Sequence, residues 1–284
     1  MVRRDEKMVP SPGRDTLRRM RASLGGICLL LITTACSGGE AASPSTVGTP
    51  STTVTTTAPA TTTAPRPLAG DTVVVDPGHN GMNWAHPEEI GRLVDIGNGS
   101  KACNTTGTST AAGYTEAEFT WALAQSVVSR LKGLGATVVL TRPDNDGWGP
   151  CIDERAEIGN RNNADAVISI HADGGPESGR GFHVIRPAGT VGLTDDIYEA
   201  SARLATAVHD SYMGTEMPVA DYIGTDGYTV RDDLGGLNLS DVPAVFLETG
   251  NMRNSDDAAL LTDPAFRDAA ADAIVSALVR FLTG

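Results

Sequence analysis

The chain has 284 residues, 40% of them apolar, and a formal net charge of −13. That length accommodates one or two domains. The acidic balance excludes nucleic acid and electrostatic attachment to an anionic bilayer as partner classes.

The charge is unevenly spread. Seven Lys and Arg against three Asp and Glu give residues 1–35 a net +4, which leaves −17 on the remainder. Arg14, Arg18, Arg19 and Arg21 precede an apolar stretch from Ile27 to Ile32. This is the order of an export signal, and the stretch is far shorter than the about 20 residues of a membrane-spanning helix. It ends in Thr33-Thr34-Ala35-Cys36. Small residues before a cysteine resemble a bacterial lipoprotein signal, in which Cys36 becomes a lipidated N-terminus on the outer face of the cytoplasmic membrane. The alternative is plain secretion with Cys36 incidental. Residues 37–69 form a Ser/Thr/Pro-rich linker that includes TTVTTTAPATTTAPRP and lacks the apolar content to bury a core. Residues 70–284 are then the folded part, enough for one sizeable core, with no repeat or composition break to divide them; we read it as a monomer. With Cys28 and Cys36 assigned to the leader, Cys103 and Cys151 remain, both in Gly/Asn/Pro-rich loops. Two cysteines in an exported domain are expected to form a disulfide, here between loops.

The folded part opens with TVVVDPGHNG, Thr72–Gly81. Its β-branched run predicts a buried strand over Thr72–Asp76, broken by Pro77-Gly78 with His79 just past the break. Asn80–Gly113 is rich in Gly and Asn without a sustained period, and reads as a long loop lining substrate. Thr115 starts a helix carrying Phe119, Leu123, Val127, Leu131 and Leu134 at helical spacing, ended by Gly133 and Gly135. A strand over Ala136–Thr141, a polar loop over Pro143–Pro150 and a helix over Ile152–Asn163 follow. Strands are then expected at Ala164–His171 and Gly181–Arg186, and an amphipathic helix at Asp195–Met213. Val230–Asn238 reads as a loop or short strand before the apolar run Ala244–Leu247, and Pro264–Leu282 as a closing helix striped by Phe266, Ala270, Ile274, Leu278 and Phe281. Strands alternating with helices predict a single-domain α/β fold with a mostly parallel central sheet covered on both faces.

The chemistry-bearing residues gather at the ends of these strands, where open α/β sheets place their sites. His79 either ligates a metal or hydrogen-bonds within its turn. His171 repeats the arrangement at the exit of the second strand. Glu116 and Glu118 compete as a carboxylate ligand. Two positions apart on a helix, they face different ways. Glu116 shares the Phe119–Leu123 stripe, whereas Glu118 suits a solvated first turn. Two histidines and Glu116 can hold zinc with a position open. Glu248 ends the third strand and either salt-bridges to Arg253 or acts as the base that takes a proton from water and passes it to the leaving amine. His86 is placed in the loop, within reach of substrate; His183 and His209 read as structural or exposed; Asp173 either orients His171 or forms a turn. Arg155 and Arg161 read as structural partners of nearby acids, with Arg155 able to line the cleft. No G-x-S-x-G elbow occurs.

Taken together, VVVDPGHNG, a glutamate opening the next helix, LTR at Leu140–Arg142, DERAEIGNRNNADAVISIHAD and VPAVFLETGNMRN resemble the zinc-dependent N-acetylmuramoyl-L-alanine amidases of the amidase 3 family. The paired loop cysteines and GRGFHV are most similar to mycobacterial, actinobacterial-type members. The resemblance implies zinc held by His79, Glu116 and His171 at the C-terminal edge of the strands, with Glu248 catalytic. Its substrate would be peptidoglycan, cut at the amide joining N-acetylmuramic acid to L-alanine of the stem peptide. The same ligand set also serves a zinc peptidase cutting within cell-wall peptides. A catalytically silent wall-binding or activator protein would keep the fold alone.

Overall fold

The computed structural model describes residues 66–284. The export signal of residues 1–36 with Cys36, and the linker up to residue 65, lie outside the described residues. Among the described residues no helix is long and apolar enough to cross a membrane.

The first strand, β1 (Thr72–Pro77), is followed by a short helix α1 (Pro87–Gly91) and a hairpin of β2 (Leu93–Asp95) and β3 (Ser100–Ala102). The expected long loop therefore contains structure. Only Val94 is buried in the two hairpin strands, so no apolar period marks them. Then come α2 (Glu116–Gly133), β4 (Thr137–Leu140), α3 (Ile152–Arg161) and β5 (Ala166–Asp173). The second half runs β6 (His183–Pro187), α4 (Tyr198–Tyr212), β7 (Tyr228–Arg231), α5 (Gly235–Asn238) and β8 (Ala244–Asn251), and closes with α6 (Ser255–Thr262) and α7 (Pro264–Thr283).

The central sheet has the order β4-β1-β5-β8-β6-β7. Its first four strands are parallel; β6 lies antiparallel to β8 and parallel to β7. The expectation of a mostly parallel α/β sheet holds, with a reversed pair at one edge. Val73, Val75, Ile168, Ile170, Val245 and Leu247 bury one face under α2, α4 and α7; Val74, Val167 and Ile185 meet Ile158 of α3 and Leu237 of α5 on the other. Alternation along each strand thus sends Asp76, Ser169, His171, Phe246 and Glu248 to the second face.

Two strands outrun their apolar segments. β5 continues through His171 to Asp173 and β8 through Glu248 to Asn251, so both residues stand within ladders instead of at strand exits. Main-chain pairing, which is indifferent to side-chain polarity, carries the extension: His171 stands opposite Glu248 in register.

Cys103 and Cys151 form the expected disulfide, closing a separation of 48 residues. Cross-linking so long a segment stabilises the folded state by about 4 kcal/mol through the unfolded chain's lost entropy. The paired Cys103→Ala, Cys151→Ala variant is expected to lose stability of that order, read by thermal melting against the oxidised parent.

Candidate metal centre and active site

β1 delivers His79 through a turn that the chain holds tightly. His79 adopts φ +59, a conformation that costs a non-glycine residue about 1–3 kcal/mol. Two buried arginines grip the carbonyls around it. Arg155, from α3, donates through Nη1 to Asp76 Oδ1 (2.5 Å) and Pro77 O (2.8 Å), and through Nη2 to His79 O (2.7 Å) and Gly149 O (3.1 Å). Arg142 donates to Pro77 O (3.0 Å) and Ala117 O (3.0 Å), tying the turn to the start of α2. Burial works to raise the pKa of Asp76, but Arg155 and the hydroxyls of Ser169 and Thr141 outweigh it and hold the carboxyl at about 2. Sequence reasoning left Arg155 as a structural pair that could reach the cleft. It does line the cleft, yet its main contacts are with the turn that presents His79. Its position carried a signal: it follows Ile152 by three residues and precedes Gly159 by four, on the inner side of α3. Arg161 is exposed, 3.9 Å from Glu157.

Glu116 and Glu118 divide the first turn of α2. Thr115 caps the helix: its hydroxyl accepts from Glu118 N (3.3 Å) while Glu118 Oε2 accepts from Thr115 N (2.9 Å), a reciprocal capping box. Glu116 is buried. Its Oε2 accepts from Thr108 N (3.0 Å) and lies 3.1 Å from His79 Nε2, while Oε1 accepts from Ala172 N (3.1 Å) and lies 2.9 Å from His171 Nδ1. Burial opposes ionisation of this carboxyl, but the charges and hydrogen bonds of His79 and His171 prevail and hold it well below the usual range. For His79, burial disfavours the cation and the Glu116 carboxylate outweighs it, lifting the pKa above 6.5.

The donor atoms of His79, Glu116 and His171 all lie within 4.8 Å of one another. Two imidazoles and one carboxylate match the donor set of a catalytic zinc site that keeps a position open. His79 Nδ1 lies 3.0 Å from Thr105 O. Donation there fixes the tautomer and leaves Nε2 with its lone pair, as a metal ligand requires. The surroundings keep the cradle clear of other side chains: a Cβ on Gly107, at φ +75, would lie 2.8 Å from Glu116 Oε2, and one on Gly78 would overlap the His171 ring. The residues fit the metal.

Glu248 stands beside this group. Its Oε2 is enclosed and has no hydrogen-bond partner among the described residues. Burial raises its pKa well above 4.5, and the negative charges of Glu116 and Asp173 add to the effect while Arg231 opposes it. The alternative of a salt bridge to Arg253 does not hold, because Arg253 points to Glu177 at 3.5 Å. Asp173 does not orient His171 either. It accepts from Tyr222 OH (2.9 Å) and lies 3.6 Å from His183 Nε2, because two steps along a strand carry it past the His171 ring. His183 is buried and His209 packs on Tyr228, both structural. His86 stacks on Trp148 and contacts Glu89 at 3.2 Å, outside the cleft lining. The cleft holds about 610 Å³ and brings together His79, Glu116, His171 and Glu248; Asn104, Thr105 and Thr108 of the long segment after β1 line it as expected.

The family model described as N-acetylmuramoyl-L-alanine amidase matches residues 73–280. The chain is 42% identical over 216 residues to the N-acetylmuramoyl-L-alanine amidase Rv3717 of Mycobacterium tuberculosis, an alignment covering 76% of this chain and 88% of that protein. Its fold is similar to crystal structures of the amidase Ami1. The Mycobacterium smegmatis protein superposes with a TM-score of 0.72 at 41% identity, covering 76% of this chain and 98% of the other. The apo form from Mycobacterium abscessus gives 0.71 at 44%, covering 76% and 100%.

Proposed function

Because the chain belongs to the N-acetylmuramoyl-L-alanine amidase family, we propose that this peptidoglycan amidase works with zinc held by His79, Glu116 and His171 and with Glu248 as its general base. The bond cut is the amide between N-acetylmuramic acid and L-alanine of the stem peptide. One observation carries the reading: three metal-type donors within 4.8 Å of one another share a cleft with a carboxylate whose Oε2 is enclosed and unpartnered.

Zinc, when bound, supplies a Lewis acid for the scissile carbonyl and acidifies water. Glu248 accepts the proton of the attacking water and returns it to the nitrogen of the departing L-alanine. Burial and neighbouring negative charge raise its affinity for a proton, which strengthens the carboxylate as the acceptor in the first transfer. Thr105 orients the His79 ring, while Arg155 and Arg142 fix the turn that carries it.

Residues 70–284 are the catalytic domain in this reading, residues 1–36 its export signal and residues 37–69 a tether. A lipid on Cys36 would hold the monomeric enzyme at the outer face of the cytoplasmic membrane. The acidic charge of the remaining chain supports an anchor made by lipid and not by electrostatics.

The test is a digest of peptidoglycan fragments by the purified chain freed of its signal, read by mass spectrometry. Release of intact stem peptides beginning at L-alanine is expected, abolished by a chelator and restored by zinc. Cuts within the peptide would instead make the protein a peptidase. Zinc binding with nothing cut would leave a binding module.

A further inference from the structure

The cleft does not end at Glu248. We propose that its remote end, formed by Arg231 and Lys101, is a subsite for a carboxylate on the peptide side of the scissile amide. This deepens the amidase reading and rests on it.

The sheet register places the two ends. His183 of β6 pairs with Glu248, and Pro187, four residues further along β6, pairs with Arg231. At the usual rise these levels are about 13 Å apart, a separation that the reach of the arginine side chain shortens. An extended peptide covers about 3.3–3.6 Å per residue, so about two to three residues beyond the cut bond reach the guanidinium. Between the ends the cleft is lined by Ile185 and Phe246, with Gly235 and Gly236 beside them. The glycines pack closely: a Cβ on Gly236 would come 2.9 Å from the Phe246 ring. Such a smooth apolar trough suits a peptide backbone and selects no side chain.

The Asp76–Arg155 pair, Glu116, Asp173 and Glu248 line the cleft towards His79 and His171, while Arg231 and Lys101 line it further along and share the carboxylate of Asp233. Asp233 receives Arg231 Nε at 2.6 Å and Nη2 at 2.8 Å, and Lys101 Nζ at 2.6 Å. At the bridge itself two cations meet one carboxylate, with Asp232 acting on Arg231 from further off. Arg231 Nη1 makes no hydrogen bond among the described residues, and the bridge to Asp233 holds both donors in place. A substrate carboxylate would complete the set as a charge-assisted pair.

The experiment compares two muramoyl tripeptides that differ only in a C-terminal carboxylate or carboxamide. The parent chain is expected to prefer the carboxylate about tenfold in KM, the size of one charge-assisted contact, with kcat little changed. Arg231→Gln with Lys101→Gln should erase that preference. Asp233→Asn breaks the bridge but keeps the cations, and should retain the preference. Equal KM values for the two peptides in the parent, or a preference surviving the double substitution, would overturn the subsite while leaving the amidase intact. If Asp233→Asn and the double variant behave alike, the cations serve only to latch the hairpin, which also overturns it. Failure to cut either peptide at the muramoyl bond would overturn the amidase reading, and the subsite with it.

Discussion

Glu248→Gln is expected to lower kcat by about 10²- to 10⁴-fold, the usual contribution of a positioned acid–base group, without loss of bound zinc. The substitution keeps the size of the side chain and changes one oxygen to an amide. The three metal donors come from β1, α2 and β5, none of which depends on the charge of Glu248. Turnover of a muramoyl peptide and metal content by atomic absorption would be measured on the same preparation. A fall in zinc content parallel to the fall in rate would show that Glu248 belongs to the ligand set. The parent should also show an acid limb in kcat/KM above the ordinary carboxylate value of 4.5, because burial and nearby negative charge raise the pKa of Glu248. The base works only when ionised, so activity is lost as pH falls through that raised value. The glutamine variant should lack the limb.

Arg155→Ala is the second large effect, and it acts on stability and metal affinity together. Arg155 and Asp76 form a buried pair at 2.5 Å, and removing one partner of such a pair costs about 3–5 kcal/mol. For a domain of this size, that lowers Tm by on the order of 10 °C. The carbonyls of Pro77, His79 and Gly149 lose donors at the same time, which releases the strained His79 backbone and weakens zinc binding. Arg155→Lys is expected to rescue little, because one ammonium cannot serve a carboxylate and four carbonyls, those of Pro77, His79, Gly149 and Pro150, spread around a planar fork. The pair also sets an acid boundary. Asp76 is held at about 2 against 3.8, so its contribution is complete above pH 3.8 and disappears as pH falls towards 2. Melting curves and a competitive zinc titration check both effects. A destabilised variant with unchanged zinc affinity would make Arg155 a purely structural residue.

The legible parts of this molecule are those where one local signal decides. Val73–Val75, Ile168–Ile170 and Val245–Leu247 announced the three central strands, and the Phe119–Leu123–Val127 stripe chose Glu116 over Glu118. The convergence of His79, Glu116 and His171 followed once strand ends were assumed to share an edge. What stayed hidden was set by distant pairing. The β2–β3 hairpin has almost no apolar face, and α6 reads as polar in SDDAALLT although Asp257 is fully buried beneath Arg180. The reversal of β6 left no mark, since a buried strand has the same composition in either direction. Arg142, Asp173 and Arg231 were misread or unread for a related reason: a charged side chain does not show in sequence which carbonyl or carboxylate it will meet.

The position of β8 governs when activity can first appear. It is the last strand in the chain yet lies in the interior of the sheet, between β5 and β6. In the proposed assignment, a chain whose β8 has not yet docked would carry the three metal-type donors while lacking both the base and the Phe246 wall of its cleft. Cutting is then expected only once β8 has joined the sheet, and a form truncated before Glu248 is expected to be inactive.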